Sequence, residues 1–207
     1  MSKLETHWNE RYQNREDQEL SWTEDSPDIS LALIEQFAKK RDSIIDVGAG
    51  RSTLLKCLMR KGYNQLTHLE LSSVASAQLQ SRLGKSAHEI NWVCENVLEF
   101  LSESRFDVWH DRAVFHFLND EKDRQLYINT LEQNISTKGV VILSTFHTTG
   151  PESCSGLPVC RYTPDSLLEE LNRLGEIDWK LVKGLIHEHQ TPSSAIQTFQ
   201  YSVFSRD

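Results

Sequence analysis

No apolar run in these 207 residues approaches the ~20 residues a membrane-crossing helix needs. The N-terminus, Met1-Ser-Lys-Leu-Glu-Thr-His-Trp-Asn-Glu-Arg, is polar and shows no apolar signal core. Cysteine is scarce. The four present, Cys57, Cys94, Cys154 and Cys160, form no C-x-x-C pair and lack zinc spacing, so reduced thiols and a cytoplasmic location are expected. The chain also lacks a dense Lys/Arg block and carries a net charge of −8, which argues against a nucleic-acid partner. No membrane partner is expected. Internal repeats and low-complexity segments are absent, so one domain with a full core is the expectation for residues 1–207.

The stretch Ser43-Ile44-Ile45-Asp46-Val47-Gly48-Ala49-Gly50-Arg51-Ser52-Thr53 organises what is there. An apolar strand ends on an acid, a Gly-x-Gly turn follows, and a hydroxyl-capped helix over 52–61 begins. The glycines let backbone approach a ligand, and the helix start offers unpaired N–H groups.

Alternating units continue from it: strands at 65–70, 90–94, 106–110 and 139–146, with helices at 72–84 and 121–136 between them. Such alternation predicts an α/β fold with a mostly parallel sheet and helices on both faces. Before it lie an amphipathic helix over 3–13, a polar loop over 14–20, and a helix opened by Ser26 as N-cap with Pro27 in its first turn. After it lie a loop rich in turn residues over 147–162, a Thr163-Pro164-capped helix, and two β-like runs, 177–189 and 196–204, predicted to form an antiparallel hairpin.

Gly-x-Gly alone leaves two ligand classes open. A dinucleotide site wants a third glycine where this chain has Thr53, and Asp46 would repel a pyrophosphate. An acid there suits a cationic amino group. On Ile44–Gly50, on Glu70 at the tip of the second strand, and on Cys94-Glu95-Asn96-Val97 after the third, the sequence resembles the class I S-adenosylmethionine-dependent methyltransferases. The resemblance covers roughly residues 40–146. It implies a Rossmann-like seven-stranded sheet in the order 3-2-1-4-5-7-6, with S-adenosylmethionine as cofactor. It further implies that Asp46, Gly48, Ala49 and Gly50 hold the methionine part, Glu70 and Leu71 the ribose, and Asn96 and Val97 the adenine. Arg51-Ser52 stands where a third glycine is common in the family.

The fourth strand exits into Trp109-His110-Asp111-Arg112-Ala113-Val114-Phe115-His116-Phe117-Leu118, dense in ionisable and aromatic groups. It resembles a segment of small bacterial class I methyltransferases. Methyl transfer is an in-line displacement, so alignment and water exclusion matter most, and a base is needed only where the nucleophile carries a proton. Asp111 is the first candidate to orient or deprotonate the acceptor. Arg112 is a candidate for a substrate carboxylate or for fixing a loop, His116 for a base near neutral pH, and His110 for facing the donor. An ion pair explains Asp111 and Arg112, and core packing explains His116, about as well.

Residues 1–26 are expected to form a cap whose aromatics Trp8, Tyr12 and Trp22 are candidates to close the pocket, Trp22 foremost, with Trp8 better explained by packing on the sheet edge. Residues 147–162 are expected to form an active-site loop offering Cys154, Ser155 and Arg161. His187-Glu188-His189 lacks a third ligand, and no metal is expected. The expected acceptor is a small molecule. A protein lysine is the alternative, and a non-catalytic S-adenosylmethionine-binding protein the alternative of another class.

Overall fold

A computed structural model describes residues 2–24 and 26–206. The sheet has seven strands: β1 (Ile44–Val47), β2 (Leu66–Glu70), β3 (Ile90–Cys94), β4 (Phe106–Arg112), β5 (Ile135–Phe146), β6 (Lys180–Gln190) and β7 (Ile196–Ser205). Their spatial order is β3-β2-β1-β4-β5-β7-β6. β1 to β5 pair in parallel, while β7 runs antiparallel to both β5 and β6. The expected strand order and terminal hairpin are both present.

Among the described residues six α-helices accompany the sheet: α1 (Lys3–Gln13), α2 (Asp28–Phe37), α3 (Leu54–Arg60), α4 (Ser73–Leu83), α5 (Glu121–Asn134) and α6 (Pro164–Leu174). Hydroxyl caps start both α4 and α6, the second as read from sequence. Ser72 accepts from Ala75 N at the head of α4, and Thr163 accepts from Ser166 N at the head of α6. Two starts differ. Pro27 itself takes the N-cap position of α2, because the Ser26 hydroxyl donates to the Asp28 carboxylate instead of capping the helix. α3 begins only at Leu54, with the Ser52 hydroxyl accepting from Leu54 N.

The tail also differs in detail. β5 starts at Ile135, directly after α5, and β6 starts at Lys180 because Trp179 is buried against the Glu132 and Asn172 side chains. The 147–162 loop contains a two-stranded ribbon, Ser153–Cys154 with Leu157–Pro158.

Alternation along each strand divides the core in two. Ile45, Val47, Trp109, Val141 and Leu143 face α5 and α6, where they meet Tyr127, Leu131, Leu167 and Leu171. Ile44, Val108, Ile142 and Val203 face α2 and α3, where they meet Leu33, Ile34, Leu54 and Leu58. A third cluster joins Tyr12, Leu20 and Ala75, with Trp8 and Trp22 packed against it, so the N-terminal segment lies on the carboxyl end of the sheet.

Candidate functional site

Two cavities open at the carboxyl ends of the central strands. One, of about 110 Å³, is lined by Ser30, Asp46, Gly48, Ala49, Ser52 and His110 on one side and by Leu20, Trp22 and Glu24 on the other. The second, of about 180 Å³, is lined by Glu70, Leu71, Asn96, Val97, Val114 and Phe117, with Leu4, Trp8 and Cys154 over them. Tyr12, Trp22, Gly48 and Arg112 line both, so the cavities meet there.

The turn after β1 sets their floor. Gly48 has φ +62, and a Cβ on it would collide with Val114 Cγ2. Gly50 has φ +52, and a Cβ there would collide with the Tyr12 hydroxyl. Only glycine serves at either position, on conformation and on space. Gly50 lines neither cavity directly. Its N–H donates to Glu70 Oε2 at 2.8 Å, while Ser72 N–H donates to Oε1 at 2.7 Å. Glu70 therefore binds the glycine turn to the tip of β2. Burial pushes its carboxyl pKa up, and the N–H groups of Ser72, Gly50 and Leu71 oppose that.

Asp46 and His110 are register partners on the parallel strands β1 and β4, and both face the α2 side of the sheet. His110 Nδ1 lies 2.7 Å from Asp46 Oδ1, and His110 Nε2 lies 2.9 Å from the Ser30 hydroxyl on α2. Asp46 Oδ2 has no hydrogen-bond partner among the described residues. A buried carboxylate oxygen without a donor, in a wall of the first cavity, fits a cationic or N–H-bearing ligand group.

The same alternation turns Asp111 away. Its carboxylate lines neither cavity and is fully enclosed, accepting from Val114 N at 2.8 Å, Phe115 N at 3.1 Å and the Tyr127 hydroxyl at 2.5 Å. It shapes the exit of β4, and its three bonds are all internal to the fold. Burial raises its pKa to about 6. His116 is likewise not brought to a cavity. It packs between Phe117 and Phe146, accepts from Phe146 N through Nδ1 at 3.3 Å, and is held neutral because burial, with Arg112 nearby, lowers its pKa to about 3. A histidine so depressed is no base near neutral pH.

Arg112 does reach the cavities, and its hydrogen bonds hold a loop. It donates to the Tyr201 hydroxyl and the Trp22 carbonyl, each at 3.0 Å, pairs with Glu24 at 3.2 Å, and stacks on Phe199. Of the turn-rich loop, only Cys154 of the three residues singled out lines a cavity. Ser155 gives its carbonyl to Arg11, and Arg161 bonds to Gly150 and Glu152 within the loop. Trp8, expected on the sheet edge, lies over the second cavity against Phe117, 5.1 Å between centroids. His189 bonds the Ser21 carbonyl at 2.9 Å and so holds the same loop as Arg112.

Sequence reading missed two residues, Arg51 and Ser30. Arg51 bonds the Tyr12 and Arg15 carbonyls and Gln78, and pairs with Asp17 at 2.8 Å, which fastens the N-terminal segment to the glycine turn. Its departure from glycine was the available signal. Ser30 gave none beyond its place in a helical pattern, whereas Tyr12, one of the three N-terminal aromatics expected to close the pocket, lines both cavities.

The fold is that of the methyltransferases with a seven-stranded Rossmann-like sheet. Residues 44–139 match the family model described as the methyltransferase domain. A structure concerned with conversion of a disulfide bond into a thioacetal group during echinomycin biosynthesis matches 99% of this chain and 93% of its own, with TM-score 0.78 and 16% identity. The 1,6-didemethyltoxoflavin-N1-methyltransferase of Burkholderia thailandensis, solved with 1,6-didemethyltoxoflavin and S-adenosylhomocysteine, matches 86% of this chain and 77% of its own, with TM-score 0.68 and 19% identity. At these identities the likeness is one of fold. The eEF1A lysine and N-terminal methyltransferase of Danio rerio is 23% identical over 121 residues, 58% of this chain. The match spans 17% of that longer protein.

Proposed function

We propose that this protein is an S-adenosylmethionine-dependent methyltransferase acting on a small molecule. The observation that carries the reading is Asp46, with its unpartnered buried oxygen, beside a turn whose two glycines leave no room for a side chain. The methyltransferase-domain match over residues 44–139 supports it. The bound donor supplies an electrophilic methyl group on a positively charged sulfur, and the residues around it have only to bind, align and exclude water.

Asp46, Gly48 and Ala49 would hold the amino-acid end, with His110 behind Asp46 and Gly50 shaping the turn through its bond to Glu70. Glu70 and Leu71 would serve the ribose, each Glu70 oxygen keeping a lone pair beyond its N–H contact. Asn96 and Val97 would serve the adenine. The Asn96 side chain accepts from Leu98 N at 3.1 Å, which fixes its orientation. Trp8, Tyr12, Trp22 and the Cys154 loop would close over the complex, so residues 2–24 act as a cap on one catalytic domain.

The acceptor would enter at the junction of the cavities. Among the residues lining both, Arg112 stays protonated and burial pushes the Tyr12 hydroxyl pKa upward. Neither serves as a base. An acceptor that is already a free amine or an anion therefore fits best.

A protein acceptor is the second reading, favoured by the match to the lysine and N-terminal methyltransferase. Incubating the enzyme with isotopically methyl-labelled donor and a cell extract, then separating small molecules from protein, tests the two. Label in the small-molecule fraction supports the first reading. Label confined to protein would replace it.

A further inference from the structure

We propose that His110 and Ser30 form a positioning relay that presents Asp46 to the amino-acid end of the methyl donor. The proposal rests on the donor reading above and adds to it two residues on different elements acting through a third.

The geometry is continuous. Ser30 Oγ, the His110 ring and Asp46 Oδ1 are joined by contacts of 2.9 and 2.7 Å, and all three residues line the first cavity. Their exposures are 2%, 2% and 3%, so water does not compete for these bonds. A carboxylate only accepts, so with Asp46 ionised it is His110 Nδ1 that donates. Nε2 of a neutral ring is then an acceptor, which the Ser30 hydroxyl satisfies. This orders the ring and fixes its tautomer. With Oδ1 engaged, Oδ2 is the oxygen left for a ligand, and it is the one without a partner.

The placement follows from the fold. Asp46 and His110 are register partners on adjacent parallel strands, and α2 covers the face they share. Ser30, between Ile29 and Leu31, is a polar residue in the buried stripe of that helix. Neither of the two contacts is needed to build the sheet. A core without them would be apolar and cost less to fold.

The experiment compares two ligands by calorimetry. S-adenosylhomocysteine carries the amino-acid end, whereas 5′-methylthioadenosine keeps adenosine and sulfur and lacks it. For His110→Ala we expect affinity for S-adenosylhomocysteine to fall about tenfold or more, the worth of a hydrogen bond to a charged group. Affinity for 5′-methylthioadenosine should be unchanged. His110→Asn, whose amide can replace the Nδ1 donor, should restore most of the loss, and Ser30→Ala should show a smaller loss of the same selective kind. With Asp46→Asn in the background, His110→Ala should add little.

Equal losses for both ligands, or none, would overturn the relay while leaving the donor site standing. Failure of the parent protein to bind S-adenosylhomocysteine would overturn the donor reading, and the relay with it. Should His110→Ala not fold, Ser30→Ala and His110→Asn carry the same comparison.

Discussion

Arg112, the last residue of β4, donates through Nη1 to the Trp22 carbonyl 3.0 Å away. One side chain thus ties the middle of the sheet to the segment that covers both cavities. Its other groups are taken by the Tyr201 hydroxyl, Glu24 and the Phe199 ring. Lysine has neither the planar fork nor the number of donors to replace these contacts. Arg112→Lys is expected to lower stability by about 2–3 kcal/mol, the scale of a lost hydrogen bond to a charged group. It should also weaken donor binding by loosening residues 21–24. Thermal unfolding and calorimetry with S-adenosylmethionine measure the two effects.

Arg51 holds the other end of the same segment, through Tyr12, Arg15 and Asp17. Arg51→Gly should free residues 12–20 without unfolding the sheet, because none of the lost contacts lies in its core. The expected result of limited proteolysis is early cleavage within that stretch in the variant, slowed when the donor is added. Resistance equal to that of the parent would show that Arg51 is not what fastens the segment.

Asp111 serves the fold. Asp111→Asn keeps the volume but sets an amide against two N–H groups and a hydroxyl, and should cost about 2–3 kcal/mol. The folded fraction should bind S-adenosylmethionine as the parent does. Loss of binding with unchanged stability would restore Asp111 to the site.

His116 makes stability depend on pH. Its folded pKa, about 3, lies below the unfolded value of 6.5, so its contribution is complete above pH 6.5 and is lost as pH falls toward 3. Asp111 acts oppositely. Its pKa is raised from 3.8 to about 6, so its contribution is complete below 3.8 and lost as pH rises through 6. Comparing the parent with His116→Gln cancels the Asp111 effect. Between pH 7 and pH 5 the parent should lose roughly 2 kcal/mol more than the variant, at about 1.4 kcal/mol per pH unit below 6.5. Urea melts at the two pH values measure it.

Much of the fold could be read from sequence, because strands buried on both faces leave apolar runs and helices announce their caps. Ile44–Val47 and the Thr163 cap are instances. The turn after the first strand was legible for a related reason: two glycines after an acid-ended strand mark backbone that needs positive φ, which Gly48 and Gly50 both have. At the strand exit the structure separates what the sequence sets side by side: His110 and Arg112 line a cavity, and Asp111 and His116 do not. Period-two alternation along β4 already separates His110 and Arg112 from Asp111, and the structure obeys it. Arg51 and Ser30 act through contacts distant in sequence, which no local pattern carries.

The central claim is that the cavity wall holding Asp46 and Glu70 binds a methyl donor. Calorimetric titration of the parent protein, Asp46→Ala and Glu70→Ala with S-adenosylmethionine, and of the parent with NAD, tests it most directly. The account predicts that the parent binds S-adenosylmethionine and that each variant loses most of that affinity while remaining folded. Tight binding of NAD with none of S-adenosylmethionine, or unchanged affinity in both variants, would contradict it.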